Sequence, residues 1–246
     1  MIIGLIPARL KSKRLPNKPI KKLNGISLIG HVLKNALKSK MLDKIVVCAD
    51  SNKIADEAKK YGIETIITSS RIKNGTERIS EFFKKKKVNA KLIVDIQCDE
   101  VFLSPKNLDK IINFHLKNIK KYDVVIPHSI TREKNNKNYV KVISDNDNNV
   151  LYLSRSDSPS NFRSNFNGFK RHMDFITFKT DFLKRFKTLR KRKLENYEGI
   201  ELLRVLENGF KIGTIKMNED YFSINTMQDF KKAQKLLKKN KYNDYK

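Results

Sequence analysis

The chain opens on an uninterrupted apolar run, Ile2-Ile3-Gly4-Leu5-Ile6-Pro7. A run without polar alternation suits a strand buried on both faces. The same pattern recurs in KIVVCAD from Lys44, ETIIT from Glu64, KLIVDIQCD from Lys91 and DVVIPHS from Asp123. Between these runs the apolar positions take helical spacing. Leu28, Ile29, Val32, Leu33 and Leu37 predict a helix over 28–39. Further helices are predicted over 52–61, with Gly62 as the stop, over 76–85, and from Ser104 through SPKNLDKIINFHLK, where serine followed by proline marks a start. Alternating strands and helices predict an α/β fold with a doubly wound, mostly parallel sheet, whose ligands bind at the carboxyl ends of the strands.

Beyond residue 130 the pattern changes. YVKVISDNDNNVLYLSRS reads as strand, Asn/Asp turn and strand, an antiparallel hairpin, and RHMDFITF as one further strand. Helices are predicted over 181–189, 197–208 and 226–239, with FKIGTIKM as a strand between the last two. We therefore expect one domain over 1–246, carrying a small antiparallel insertion at about 130–180.

Composition narrows the class. No apolar stretch reaches the ~20 residues of a membrane span, the amino terminus has its apolar part before its charges, unlike a secretory signal, and two cysteines cannot build a disulfide framework. The expected compartment is the cytoplasm. The 53 Lys and Arg against 26 Asp and Glu give a net charge of +27. Such a balance fits a polyanionic partner. The lysines are dispersed in short runs and accompanied by many asparagines, which reads more plainly as a compositional bias. With no zinc-finger spacing, aromatic RNA-binding signature or basic region with heptads, nucleic acid is the least favoured partner.

The most informative segment follows the first strand. In Pro7-Ala8-Arg9-Leu10-Lys11-Ser12-Lys13-Arg14-Leu15-Pro16-Asn17-Lys18-Pro19, five cations fall within ten residues and three prolines restrict the backbone. Cations held on a restrained loop suit a triphosphate, with arginine forking onto oxygens and lysine acting as a point charge. No GxxxxGK[ST] is present, so this is not a P-loop. On charge alone, a solvated basic loop fits as well.

IPARLKSKRLPNKP resembles the amino-terminal signature of the nucleotidyltransferases that activate acidic sugars, and most closely that of the 3-deoxy-manno-octulosonate (Kdo) cytidylyltransferase family. Further segments keep that family's order: Asn74-Gly75-Thr76-Glu77-Arg78 resembles its GTER turn, Gln97-Cys98-Asp99-Glu100 its QGDEP strand end, and Tyr152-Leu153-Ser154-Arg155 its YFSR. Arg171-His172 is similar to its RH pair, Glu201-Leu202-Leu203-Arg204 to its EQLR helix, and Ile224-Asn225-Thr226 to its VDT turn.

The resemblance implies a nucleotide-diphospho-sugar transferase-like fold, a homodimer, and transfer from CTP to an acidic sugar with release of pyrophosphate, for activated sugar supply to lipopolysaccharide or surface polysaccharide. It implies that Arg9, Arg14, Lys18 and Asp99 are catalytic, and that Pro7, Ala8, Arg9, Ser12, Arg14, Lys18, Gly75, Thr76, Arg78 and Gln97 bind the nucleotide. Arg155, His172 and Glu201 would face the acceptor, and Asp99 with Asn225 would hold Mg2+. By themselves, Asp99 also reads as a strand-end carboxylate taking backbone N–H groups, Arg155 as a hairpin surface charge, and His172 as a hydrogen-bonded structural histidine. A nucleophilic Cys98 has no paired base in view. Four positions depart from the family pattern: Asn225 for an aspartate, Leu202 for a glutamine, Ile176 for a tyrosine and Asp174 for a glycine. They leave open an altered acceptor or a chain that binds nucleotide without turning it over.

Overall fold

The computed structural model describes residues 1–12, 14–72, 74–160, 162–163, 168–218 and 222–238. Lys13, one of the five loop cations, and Lys239, the expected end of the last helix, lie outside them. The chain divides into two compact units, one of 1–110 with 222–246 and one of 111–221.

The first unit is built on the buried runs. β1 (Ile2–Ala8) is buried along its whole length. After it come a short hairpin of β2 (Lys22–Leu23) and β3 (Ile26–Ser27), helix α1 (Leu28–Ala36), β4 (Lys44–Ala49), α2 (Asn52–Lys59) and β5 (Glu64–Ile67). Then follow α3 (Gly75–Ser80), α4 (Phe82–Lys85), β6 (Leu92–Ile96) and α5 (Pro105–Lys117), within which the division between the units falls. The strands lie in the order β5-β4-β1-β6, all parallel. This is the arrangement the alternation predicts, and it brings the loop after β1 and the residues after β6 out at the same end of neighbouring strands.

The β2–β3 hairpin was not anticipated. Asn24 and Gly25 both take positive φ, 48° and 81°, which is the two-residue turn that asparagine and glycine favour. His31 of α1 holds it through Nε2 at 2.9 Å from the Leu23 carbonyl. The helix expected over 76–85 is two pieces, α3 and α4, broken at Glu81.

The second unit contains β7 (Val124–Thr131), β8 (Lys141–Ser144), β9 (Val150–Ser154), β10 (Phe169–His172), β11 (Phe175–Lys179), α6 (Thr180–Arg185), α7 (Lys193–Glu198), α8 (Leu203–Glu207) and β12 (Ile212–Lys216). β8 and β9 form the expected hairpin. RHMDFITF is two strands rather than one, β10 and β11, parted at Met173 and Asp174, and both pair antiparallel with β7. β12 joins β7 in parallel. The helix expected over 197–208 is likewise interrupted, because Gly199 takes φ 62° and closes α7 with a left-handed cap. α9 (Met227–Lys238) belongs to the first unit, where Phe230 and Ala233 pack with Leu15, Leu23, Leu28, Val101, Phe102 and Ile224.

Candidate nucleotide and metal site

The cationic loop is anchored from within. Leu15 is fully buried in the cluster under α9, so the chain on either side of it is pinned to the core. Ser12 turns the loop toward that anchor by accepting the Leu15 N–H at 3.3 Å. Asn17, in the left-handed region at φ 54°, accepts the N–H groups of Ile20 and Lys21 through its carbonyl. Arg14 is exposed between these anchors, the Lys18 side chain is drawn largely inward, and Arg9 is exposed just past the end of β1.

Four of the residues singled out from the sequence converge here. Lys18 Nζ donates to Asp99 Oδ2 and, at 3.2 Å, to Asn225 Oδ1. Arg14 Nη2 donates to the same amide oxygen, also at 3.2 Å. Asn225 is oriented by its own surroundings: its Nδ2 donates to Ser223 Oγ at 3.0 Å, which turns Oδ1 toward the two cations. Burial pulls the Lys18 ammonium down, but the facing Asp99 carboxylate outweighs it and leaves the group above its ordinary value.

A second group gathers at the ends of β1 and β6. Gly75 lies against Gln97 and Pro7, and a Cβ there would fall 3.0 Å from Gln97 Nε2 and 3.4 Å from Pro7 Cγ. Gln97 Nε2 donates at 2.8 Å to Asp95, which is buried. Ala8 and Thr76 are buried beside these elements. Arg78 is buried as well. Its guanidinium donates to Thr68 Oγ1 at 2.5 Å, to the Ser69 carbonyl at 3.4 Å and to the Ile72 carbonyl at 3.1 Å, and it lies 3.7 Å from Asp50. Asp50 in turn accepts the Leu10 N–H at 2.9 Å. Arg78 therefore works on the protein's own loops, tying the segment 68–72 and the exit of β1 to α3. The sequence reading does not single out Asp50; its position directly after the buried strand β4 is the available signal.

The acceptor-side candidates all belong to the second unit. Arg155 donates through Nε to the Glu198 carbonyl at 2.8 Å, through Nη1 to that of Lys137 at 2.9 Å and through Nη2 to that of Gly199 at 3.3 Å. The YLSR segment is organised around Glu198, whose carboxylate accepts from Tyr152 Oη, Ser154 Oγ and the Arg155 N–H. Sequence reading did not single out Glu198. His172 is buried on β10 opposite His128, with Nδ1 at 3.4 Å from the Pro127 carbonyl, and burial lowers its pKa. Glu201 is half-buried ahead of α8. Leu202 and Ile176 are buried apolar residues of the same unit. Burial pushes the thiols of Cys48 and Cys98 up to about 12, which leaves neither as a nucleophile at neutral pH.

Among the described residues no group of three or more His, Cys, Asp and Glu is placed to hold a metal ion. Asp99 and Asn225 nevertheless present two oxygens to one positive charge, the Lys18 ammonium. One carboxylate and one amide oxygen suit magnesium, which keeps waters and takes its remaining ligands from substrate phosphates.

The cytidylyltransferase family pattern matches residues 3–212. A protein of Chlorobium phaeobacteroides named 3-deoxy-manno-octulosonate cytidylyltransferase is 35% identical over 240 residues, covering 95% of this chain and 96% of its own length. One of the same name from Fusobacterium nucleatum is 31% identical, with 97% of each covered. Among solved structures, CMP:2-keto-3-deoxy-manno-octonic acid synthetase complexed with CTP superimposes with a TM-score of 0.91 at 24% identity, over 97% of this chain and 99% of that one. The 4-diphosphocytidyl-2C-methyl-D-erythritol synthase of Anaerococcus prevotii follows the same fold at a TM-score of 0.65 and 16% identity, over 96% of this chain and 98% of that one.

Proposed function

The chain belongs to the cytidylyltransferase family, and from that premise we propose that it transfers the cytidylyl group of CTP to an acidic sugar, 3-deoxy-manno-octulosonate or a close relative. The anomeric hydroxyl oxygen forms a bond to the α-phosphorus, the bond to the α–β bridging oxygen breaks with its electron pair leaving on pyrophosphate, and the hydroxyl proton passes to solvent. Such a transfer asks for in-line positioning and charge neutralisation rather than covalent help from the protein. The observation that carries the reading is the cluster in which Arg14 and Lys18, on the anchored loop after β1, meet Asp99 after β6 and Asn225 ahead of α9.

In this reading Arg9, Arg14 and Lys18 meet the triphosphate, with Ser12 and Leu15 fixing the backbone that carries them. Pro7, Ala8, Gly75, Thr76 and Gln97 form the wall for the nucleoside, and the bare Gly75 lets a flat base approach backbone. Arg78 and Asp50 hold that wall together. Asp99 and Asn225 would hold Mg2+, which when bound supplies neutralisation of phosphate charge. Arg155, His172 and Glu201 are assigned to the acceptor side, with Arg155 also fixing the backbone of Lys137, Glu198 and Gly199. We further propose a homodimer using the 130–180 segment, and a cytoplasmic enzyme. No described helix is long and apolar enough to cross a membrane.

Pyrophosphate release with CTP, Mg2+ and a panel of acidic sugars tests the proposal. Release with 3-deoxy-manno-octulosonate supports it as stated. Release only with another acid moves the acceptor, as Leu202 and Ile176 would allow by removing hydrogen-bonding groups from the pattern. A second reading, a binding protein without turnover, draws on the neutral Asn225. It predicts calorimetric binding of CTP with no pyrophosphate from any acceptor.

A further inference from the structure

The oxygens best placed for a divalent ion already face a cation. Lys18 Nζ bridges Asp99 Oδ2 and Asn225 Oδ1, and Arg14 adds a second positive charge on the same amide oxygen. Among the described residues, Asp99 is the one carboxylate in this contact set. Asp229, next to Asn225, is committed elsewhere, since its Oδ2 accepts the N–H groups of Asn225 and Thr226 and the Thr226 hydroxyl. The cluster of Arg14, Lys18, Asp99 and Asn225 thus carries two positive charges against one negative before any ligand arrives. Lys18 and Asp99 are also poorly hydrated, their side chains 11% and 13% exposed.

We infer that the Lys18 ammonium holds the cation position of this site in the free protein, and that a divalent ion enters only together with a triphosphate that takes Lys18 over. An ion arriving alone meets an excess of positive charge and must displace an ammonium from its carboxylate. The displaced charge, largely desolvated, would then have no counter-ion, and breaking such a pair from one side is the costly case. A triphosphate removes both obstacles, because its oxygens accept Lys18 and Arg14 while ligating the ion. Metal and nucleotide affinities are therefore coupled, and by linkage each raises the other. Asn225 is central to this behaviour. Its neutral oxygen lets one lysine balance the site, where a second carboxylate would leave a negative charge free to draw the ion in.

The inference rests on the proposed function only in naming CTP as the triphosphate. Its test is Mn2+ binding to the nucleotide-free protein, with free ion read by electron paramagnetic resonance. We expect the unmodified chain to show no saturable site below millimolar Mn2+. Lys18→Met should bind one Mn2+ about tenfold or more tighter, and Lys18→Met with Asp99→Asn should lose that site again. A non-hydrolysable CTP analogue should give the unmodified chain a protein-bound Mn2+ that neither partner gives alone. Thermal melting checks that Lys18→Met folds, and Lys18→Gln replaces it if it does not. Equal Mn2+ binding by the unmodified chain and the Lys18 variant, or tight Mn2+ binding by the unmodified chain without nucleotide, would overturn the inference. A failure of pyrophosphate release alone leaves the Mn2+ comparison standing, so the two outcomes are separable.

Discussion

Leu15 shows how an apolar residue can serve a polar site. It lies between the exposed Arg14 and Pro16, yet it is fully buried against Leu23, Leu28, Ile224 and Phe230. Removing its side chain leaves a cavity where the loop is fastened. We expect Leu15→Ala to cost about 2–5 kcal/mol in denaturant unfolding and to weaken CTP binding beyond what the stability loss explains, measured by calorimetry on the folded protein. Gly75 makes the opposite contribution, an absence of atoms. A Cβ at 3.0 Å from Gln97 Nε2 meets an amide that Asp95 holds in place. Gly75→Ala should therefore raise KM for CTP severalfold and lower the melting temperature modestly, through the displaced Gln97 rather than through backbone strain, since φ at this position is not in the left-handed region.

At the scale of elements, α7 and α8 depend on a buried ion pair. Arg204 donates through Nε to Glu195 Oε2 at 2.7 Å and through Nη2 to Glu195 Oε1 at 2.5 Å, and its guanidinium lies 4.6 Å from the Phe186 ring centre. The two short helices are separated by the turn at Gly199 and have little intrinsic stability at this length. Glu195→Ala takes two charge-assisted hydrogen bonds from the buried Arg204 guanidinium, and we expect a loss of about 3–5 kcal/mol in urea unfolding. Replacing both partners with apolar residues of similar volume should recover much of it, which separates the cost of breaking the pair from one side from the net value of the pair.

The whole molecule has two electrostatic signatures that bulk measurements can read. His115 and His128 are buried and hydrogen-bonded to Thr177 Oγ1 and Thr214 Oγ1, and burial lowers both to a pKa of about 4. Both are neutral in the folded protein at pH values where the unfolded chain, near 6.5, takes up protons. Their contribution is complete above the unfolded value and is lost as pH falls toward 4, at most about 3 kcal/mol for each. Urea unfolding at pH 7, 5.5 and 4.5 should show that decline, with a shallower slope in His115→Gln. The net charge of +27 acts through self-repulsion. Raising NaCl to a few tenths molar should lift the melting temperature while weakening CTP binding, because screening relieves like charges in the fold and opposes attraction at the loop.

How much of this was legible depends on whether the signal was local. The buried strands β1, β4 and β6, the helix of α1 and the placement of a cationic loop and Asp99 at strand ends follow from runs of residue types along the chain, because period and burial are properties of neighbouring residues. The breaks at Asp174 and Gly199 were lost because an apolar pattern continues across them while the backbone does not. What only the tertiary structure decided is who meets whom. Lys18 reaches Asn225 across 207 residues, Arg78 turns to Thr68 and Asp50, and Arg155 spends its donors on three carbonyls. A side chain's charge is written in the sequence, but its partner is selected by packing, since one cation can be satisfied by any acceptor that the folded backbone brings within about 3 Å.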